Sequence, residues 1–123
     1  LPIGEAQNPY LDRATLHKSF FSRLHHFVFL SSSFVAMPGG IGTLLEITTI
    51  WQLLQVKKIK NRPLILVGNV WKNMIKWMEE EMLSKGFVSK EDLKLPIIAS
   101  NVEDAIPPIE CALKFHAKLR RTV

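Results

Sequence analysis

Residues 34–46, Phe34-Val35-Ala36-Met37-Pro38-Gly39-Gly40-Ile41-Gly42-Thr43-Leu44-Leu45-Glu46, decide how this chain is read. The first four are wholly apolar, and a short apolar run has the length of a strand buried on both faces, as in a parallel sheet. A proline and three glycines follow at once, and then apolar residues recur at helical spacing from Thr43 to Val56. In an open α/β sheet, ligands bind at such a place, at the carboxyl end of a strand. Glycines let the backbone approach a ligand closely. The helix that follows offers unpaired N–H groups and a positive dipole end, which suit a phosphate, and Thr43 can add a hydroxyl. Neither dinucleotide nor P-loop spacing is present. A plainer reading stays open beside this one. The glycines serve only the turn, and Thr43-x-x-Glu46 is a capping box with Thr43 at the N-cap and Glu46 reaching back.

Outward from this stretch the chain alternates. Leu16, Phe20, Leu24, Phe27 and Val28 predict a helix over 13–30, with Asp12 as its N-cap and Ser31-Ser32-Ser33 at its end. Leu64-Ile65-Leu66-Val67-Gly68 is a second continuous apolar strand. Trp71, Ile75, Met78 and Met82 predict a helix over 70–85 that Gly86 stops. Ser89 caps a short turn at 89–93. Leu95-Pro96-Ile97-Ile98-Ala99 is a weaker strand, because proline cannot donate in a ladder. Asn101 or Ser100 caps a segment interrupted by Pro107-Pro108, and a last helix runs over 109–120. Short apolar strands alternating with helices give an α/β fold, a partial Rossmann-like parallel sheet with flanking helices, in one domain.

The composition agrees. At 47% hydrophobic and 22% charged over 123 residues, the chain is neither disordered nor a disulfide-knotted miniprotein. No apolar run approaches the roughly 20 residues that cross a bilayer, so no membrane is expected as partner. The net charge of +5 raises the question of nucleic acid. Its cations, however, sit in the connection Lys57, Lys58, Lys60, Arg62 and in the terminal Lys114, Lys118, Arg120, Arg121, where helix C-termini account for them. No aromatic residues interleave with them to stack bases, so nucleic acid is not expected. The single Cys111 fits a reducing cytoplasm and reads as packing on an apolar helix face with Ile109, Ala112 and Leu113. His17, His25 and His26 fit no metal-ligand spacing, so no metal is expected. Met74, Met78 and Met82 form a row suited to core or dimer contact, and Trp71 and Trp77, six apart, place at least one indole at an interface.

Pro38-Gly39-Gly40-Ile41-Gly42-Thr43-x-x-Glu46 resembles the PGGxGTxxE signature of the LOG (Lonely Guy) family. Its members are cytokinin riboside 5′-monophosphate phosphoribohydrolases and related nucleotide nucleosidases, long misnamed lysine decarboxylases. Other stretches are similar to the family too. Leu1-Pro2 through Asn8-Pro9-Tyr10 resembles a segment of longer bacterial members. Phe20-Phe21-Ser22-Arg23 resembles F-F-x-R-K, fifteen residues before the motif proline. Gln55 and the run from Pro63 to Trp71 match later positions, so the resemblance spans roughly 1–106. The chain departs from the pattern at Leu24, where the family has lysine, and at Leu45, where many members have a second acid. The family's N-terminal half, with its first strands and its own glycine-rich loop, has no match here. A chain that starts at Leu1 is therefore expected to be the C-terminal portion of such a protein.

The resemblance implies hydrolysis of the N-glycosidic bond of an AMP-like nucleoside 5′-monophosphate, freeing the base and ribose 5-phosphate. It implies Glu46 and Arg23 as catalytic residues and Gly39, Gly40, Gly42 and Thr43 as phosphate-binding residues. It also implies no cofactor, and a homodimer. A carboxylate suits this chemistry because the bond breaks through an oxocarbenium-like sugar. The alternative is a non-catalytic module that holds a nucleotide through the same loop. Lysine decarboxylation is rejected, since no lysine sits in a convincing pyridoxal-phosphate setting.

Overall fold

A computed structural model describes residues 20–122. Asp12, Leu16, His17, the upstream Asn8-Pro9-Tyr10 segment and the first part of the helix expected over 13–30 lie outside the described residues.

The elements follow the expected alternation. Helix α1 is Phe20–Leu30, strand β1 Phe34–Ala36, helix α2 Ile41–Gln55, strand β2 Leu64–Val67 and helix α3 Asn69–Met78. A π-helical turn, Glu79–Leu83, extends α3. Helix α4 is Lys90–Lys94, strand β3 Pro96–Ala99, and a 3-10 turn at Glu103–Ala105 leads into helix α5, Ile106–Thr122. The strands form one parallel sheet in the order β1-β2-β3. Leu64 is level with Phe34 on one side and with Pro96 on the other.

β2 organises the core. All four of its residues are buried, and successive side chains point to opposite faces. Leu64 and Leu66 join Leu24 and Val28 of α1, Ile47, Ile50 and Trp51 of α2, and Trp71 and Ile75 of α3. Ile65 and Val67 pack on the other face with Ala99 and Ala105, and Ile109 of α5 closes over them. Helices on both faces are what make an uninterrupted apolar strand stable. This is an α/β, Rossmann-like arrangement.

Proline is accommodated where its missing N–H costs nothing. Pro96 is the first residue of β3, a strand paired on one side only among the described residues. Pro107 and Pro108 do not interrupt the last helix as the sequence suggested. They are its second and third residues, in the first turn, where no intrahelical acceptor is waiting for an N–H. Other expectations also shift. Cys111 is exposed, because Ala112 and not Cys111 takes the inward position on α5. Met74 and Met78 pack on the core, Trp71 is buried, and Trp77 is half exposed.

Two helices end in the same hydrogen-bonded turn. After the π turn, Gly86 N–H donates to the Leu83 carbonyl and Phe87 N–H to that of Met82, with Gly86 at φ +76°. After α2, Lys57 N–H donates to Leu54 and Lys58 N–H to Leu53, with Lys57 at φ +61°. This is the Schellman arrangement, whose left-handed position favours glycine. Arg62 then reaches back from the same basic connection, and its Nη1 donates to the Val28 carbonyl in the last turn of α1 at 3.1 Å.

α4 is held by a true capping box. Ser89 Oγ accepts from Asp92 N–H at 3.1 Å, and the Asp92 carboxylate accepts from Ser89 N–H at 3.0 Å. The Ser89 backbone bond is the main reason the Asp92 carboxyl lies below its usual value, aided by the hydroxyl of Ser89 and by Gln55, and opposed by desolvation. The carbonyl of Asp92 also accepts from Trp51 Nε1 at 2.8 Å, which fastens α4 to α2.

Two predictions follow from these ends. Lys57→Gly relieves a left-handed lysine and raises stability by about 0.5–1 kcal/mol, net of glycine's greater unfolded entropy, read as a higher urea midpoint with unchanged slope. Asp92, depressed when folded, contributes stability above its unfolded pKa that is lost as pH falls through the folded value. The stability gap between the wild type and Asp92→Ala is therefore full at about pH 6 and shrinks steadily below about pH 4, which urea melts across that range will measure.

Candidate active site

The glycine-rich turn stands at the carboxyl end of β1. α2 starts at Ile41, with Gly40, which has no side chain to cap with, at its N-cap. The first intrahelical bond is Leu44 N–H to the Gly40 carbonyl at 2.9 Å. The N–H groups of Ile41, Gly42 and Thr43 therefore have no acceptor within the helix, and they crown its positive end.

This corrects the capping-box reading. Thr43 is the third helical residue, not the cap, so its hydroxyl stands a turn too late to close such a box, and Glu46 has no cap to reach back to. Gly40 makes the turn by backbone conformation alone. Glu46 is exposed in the second turn of α2.

Glu46 and Arg23 come together. They line one pocket of about 180 Å³ whose other walls are Leu24 and Phe27 of α1. Glu46 also lines a neighbouring pocket of about 210 Å³, with Thr43, Met37, Pro38, Phe34 and, again, Phe27. Glu46 and Phe27 are thus shared between two cavities. One reaches the Arg23 guanidinium and the other the start of α2. Gly39 and Gly40 are exposed in the turn at the mouth of this region. The arrangement sets the start of a helix, a carboxylate and a guanidinium around an aromatic wall.

Phe27 was missed as a site residue. Helical spacing assigns it to the buried face, yet it is 50% exposed, packed edge-on against Phe34 at 6.0 Å. Only its place one turn from Arg23 could have flagged it. Leu24, standing where the resemblance expects lysine, is 6% exposed and belongs to the core. Gln55 lies at the far end of α2. It accepts from Gln52 at 2.8 Å and lines a pocket with Asp92 and Leu93 of α4, away from the glycine turn. His25 packs its ring on Phe29 at 4.5 Å. Among the described residues, no three His, Cys, Asp or Glu side chains are grouped to hold a metal ion, and no helix is long and apolar enough to cross a membrane.

The family model described as "Possible lysine decarboxylase" matches residues 1–109. The chain belongs to this family, the LOG family. No curated protein matches the sequence. The family is one of enzymes, and the match extends through every site element described above. The LOG motif's glycines are not equivalent here. A Cβ on Gly39 would run into Thr43 Oγ1, whereas Gly40 and Gly42 face open space. Gly42→Ala is therefore expected to fold at least as stably as the wild type, gaining about 0.5–1 kcal/mol of helix propensity. Gly39→Ala, which must displace the Thr43 side chain, is expected to melt lower. A pair of thermal melts distinguishes the two.

Proposed function

We propose that this LOG-family chain carries the catalytic face of a nucleoside 5′-monophosphate phosphoribohydrolase, which hydrolyses the N-glycosidic bond to free base and ribose 5-phosphate. The observation that carries the reading is that Glu46 and Arg23 share one cavity near a helix N-terminus whose cap residue is a glycine. In this reading the 5′-phosphate is taken by the N–H groups of the Gly39–Thr43 turn and by the Thr43 hydroxyl. The ribose then lies over the second turn of α2, where Glu46 is. As the C1′–N bond breaks, the sugar becomes oxocarbenium-like, and the carboxylate stabilises that charge or takes a proton from the attacking water. The base leaves with the bonding electron pair and is protonated. The water oxygen ends on C1′. Arg23 supplies a fixed, always charged fork for phosphate or ribose hydroxyls and holds Glu46 in orientation. Phe27 offers an apolar wall for the base or the sugar face.

A second reading is binding of the nucleotide without turnover. Leu24 favours it, because a core leucine stands where the family lysine would act. Adenine release from AMP, followed by chromatography, separates the two. The expected result is release by the wild type, a drop of about 10²-fold or more in Glu46→Gln, and a raised KM in Arg23→Ala. Binding of AMP without release establishes the second reading, and absence of both binding and release removes both.

A further inference from the structure

The glycine turn lies at the surface. Met37, Pro38, Gly39, Gly40 and Ile41 are all exposed. Two contacts reach it from beyond β2, one from Gly68 between β2 and α3 and one from Trp71 in the first turn of α3. Trp71 is 3% exposed, and its indole Nε1 donates to the Met37 carbonyl at 3.1 Å across 34 residues of sequence. The next residue, Pro38, is seated on Gly68. A Cβ at position 68 would come within 2.9 Å of Pro38 Cγ, and Gly68 holds φ +107°, so both backbone shape and space demand glycine there. Gly68 is itself anchored, its N–H donating to the Ala99 carbonyl at the end of β3 at 3.0 Å. Two successive residues of the turn are thus gripped by one strut that runs back to the third strand.

We infer that Trp71 and Gly68 are positioning residues for the phosphate turn, acting through Met37 and Pro38 with no contact to substrate. The inference rests on the reading of that turn as the phosphate site. The energetics are one-sided. The indole N–H is buried and needs its acceptor, whereas Met37 is exposed and its carbonyl can turn to water. Removing the donor therefore frees the turn while leaving little unsatisfied. A helix N-terminus binds phosphate well only if its N–H groups are already aimed, and preorganisation is what a strut contributes.

The test uses the full chain with Trp71→Phe, which keeps an aromatic ring but no donor, and Pro38→Ala, which removes the exposed ring from Gly68 without touching the core. Trp77→Phe is the control. Backbone 15N relaxation is read at Gly39 and Gly40, and AMP affinity by titration. The expected result is that both variants lower the order parameters of these glycines from about 0.85 toward 0.6 and weaken AMP binding about 5- to 20-fold, while Trp77→Phe does neither. Unchanged order parameters in Pro38→Ala and in any folded Trp71→Phe overturn the strut. Loosened glycines with unchanged AMP affinity overturn its role in binding. If AMP leaves the Gly39–Thr43 amides of the wild type unmoved, the phosphate reading falls, and with it the positioning role, while the order parameters still decide whether the strut exists.

Discussion

Everything in this molecule hangs on β2 being dry on both sides. Four consecutive apolar residues, Leu64 to Val67, leave no face for water. Helices must therefore cover the sheet above and below, and the chain must cross over between strands that run the same way. Those crossovers place the strand-to-helix turns at the carboxyl ends of the strands. The glycine turn after β1 and the Gly68 turn after β2 consequently lie side by side. The site is a product of the sheet's burial before it is a product of any catalytic residue.

The candidate site occupies the border of that arrangement. α1 and α2 pack on the same core through Leu24, Val28, Ile47 and Ile50. Their exposed flanks then carry Arg23, Phe27 and Glu46 into shared cavities. Inward positions fix the separation of the helices, and outward neighbours inherit it. This is how a carboxylate and a guanidinium more than twenty residues apart in sequence come to line one cavity.

The architecture was legible because its signals are local. Apolar runs of four residues, glycine and proline punctuation, and helical spacing each act within a few positions, and all three strands fall where these signals put them. The ends of elements were less legible. α2 starts two residues before the apolar spacing predicts, since Ile41-Gly42 carries no start signal and Thr43 mimics a cap. The left-handed turn at Lys57 hides because its residue is not glycine. Periodicity names the apolar side of a helix but not what covers it, which is why Cys111 is exposed on a face that reads as packed. Of the candidate site, the glycine turn stands out locally between strand and helix, whereas a catalytic role for Glu46 and Arg23 is implied only by the resemblance. The bond between Trp71 and Met37 spans 34 residues and leaves no trace in sequence spacing.

The strand that supports the fold is also its most hazardous segment before folding. Leu64-Ile65-Leu66-Val67 is an uncharged apolar tetrad of the kind that adds onto strands of other chains. Its native partners lie some 30 residues away on either side, so closing two long loops precedes any protection. The chain brackets it accordingly. Arg62 and Pro63 stand immediately before, and the left-handed Gly68 immediately after. A charge, a residue that cannot donate to a ladder and a backbone bend act as gatekeepers, limiting the adhesive stretch to four residues. Arg62 and Gly68 therefore serve twice: they keep the nascent strand from the wrong neighbours, and once it is buried they brace the last turn of α1 and the turn beside the site.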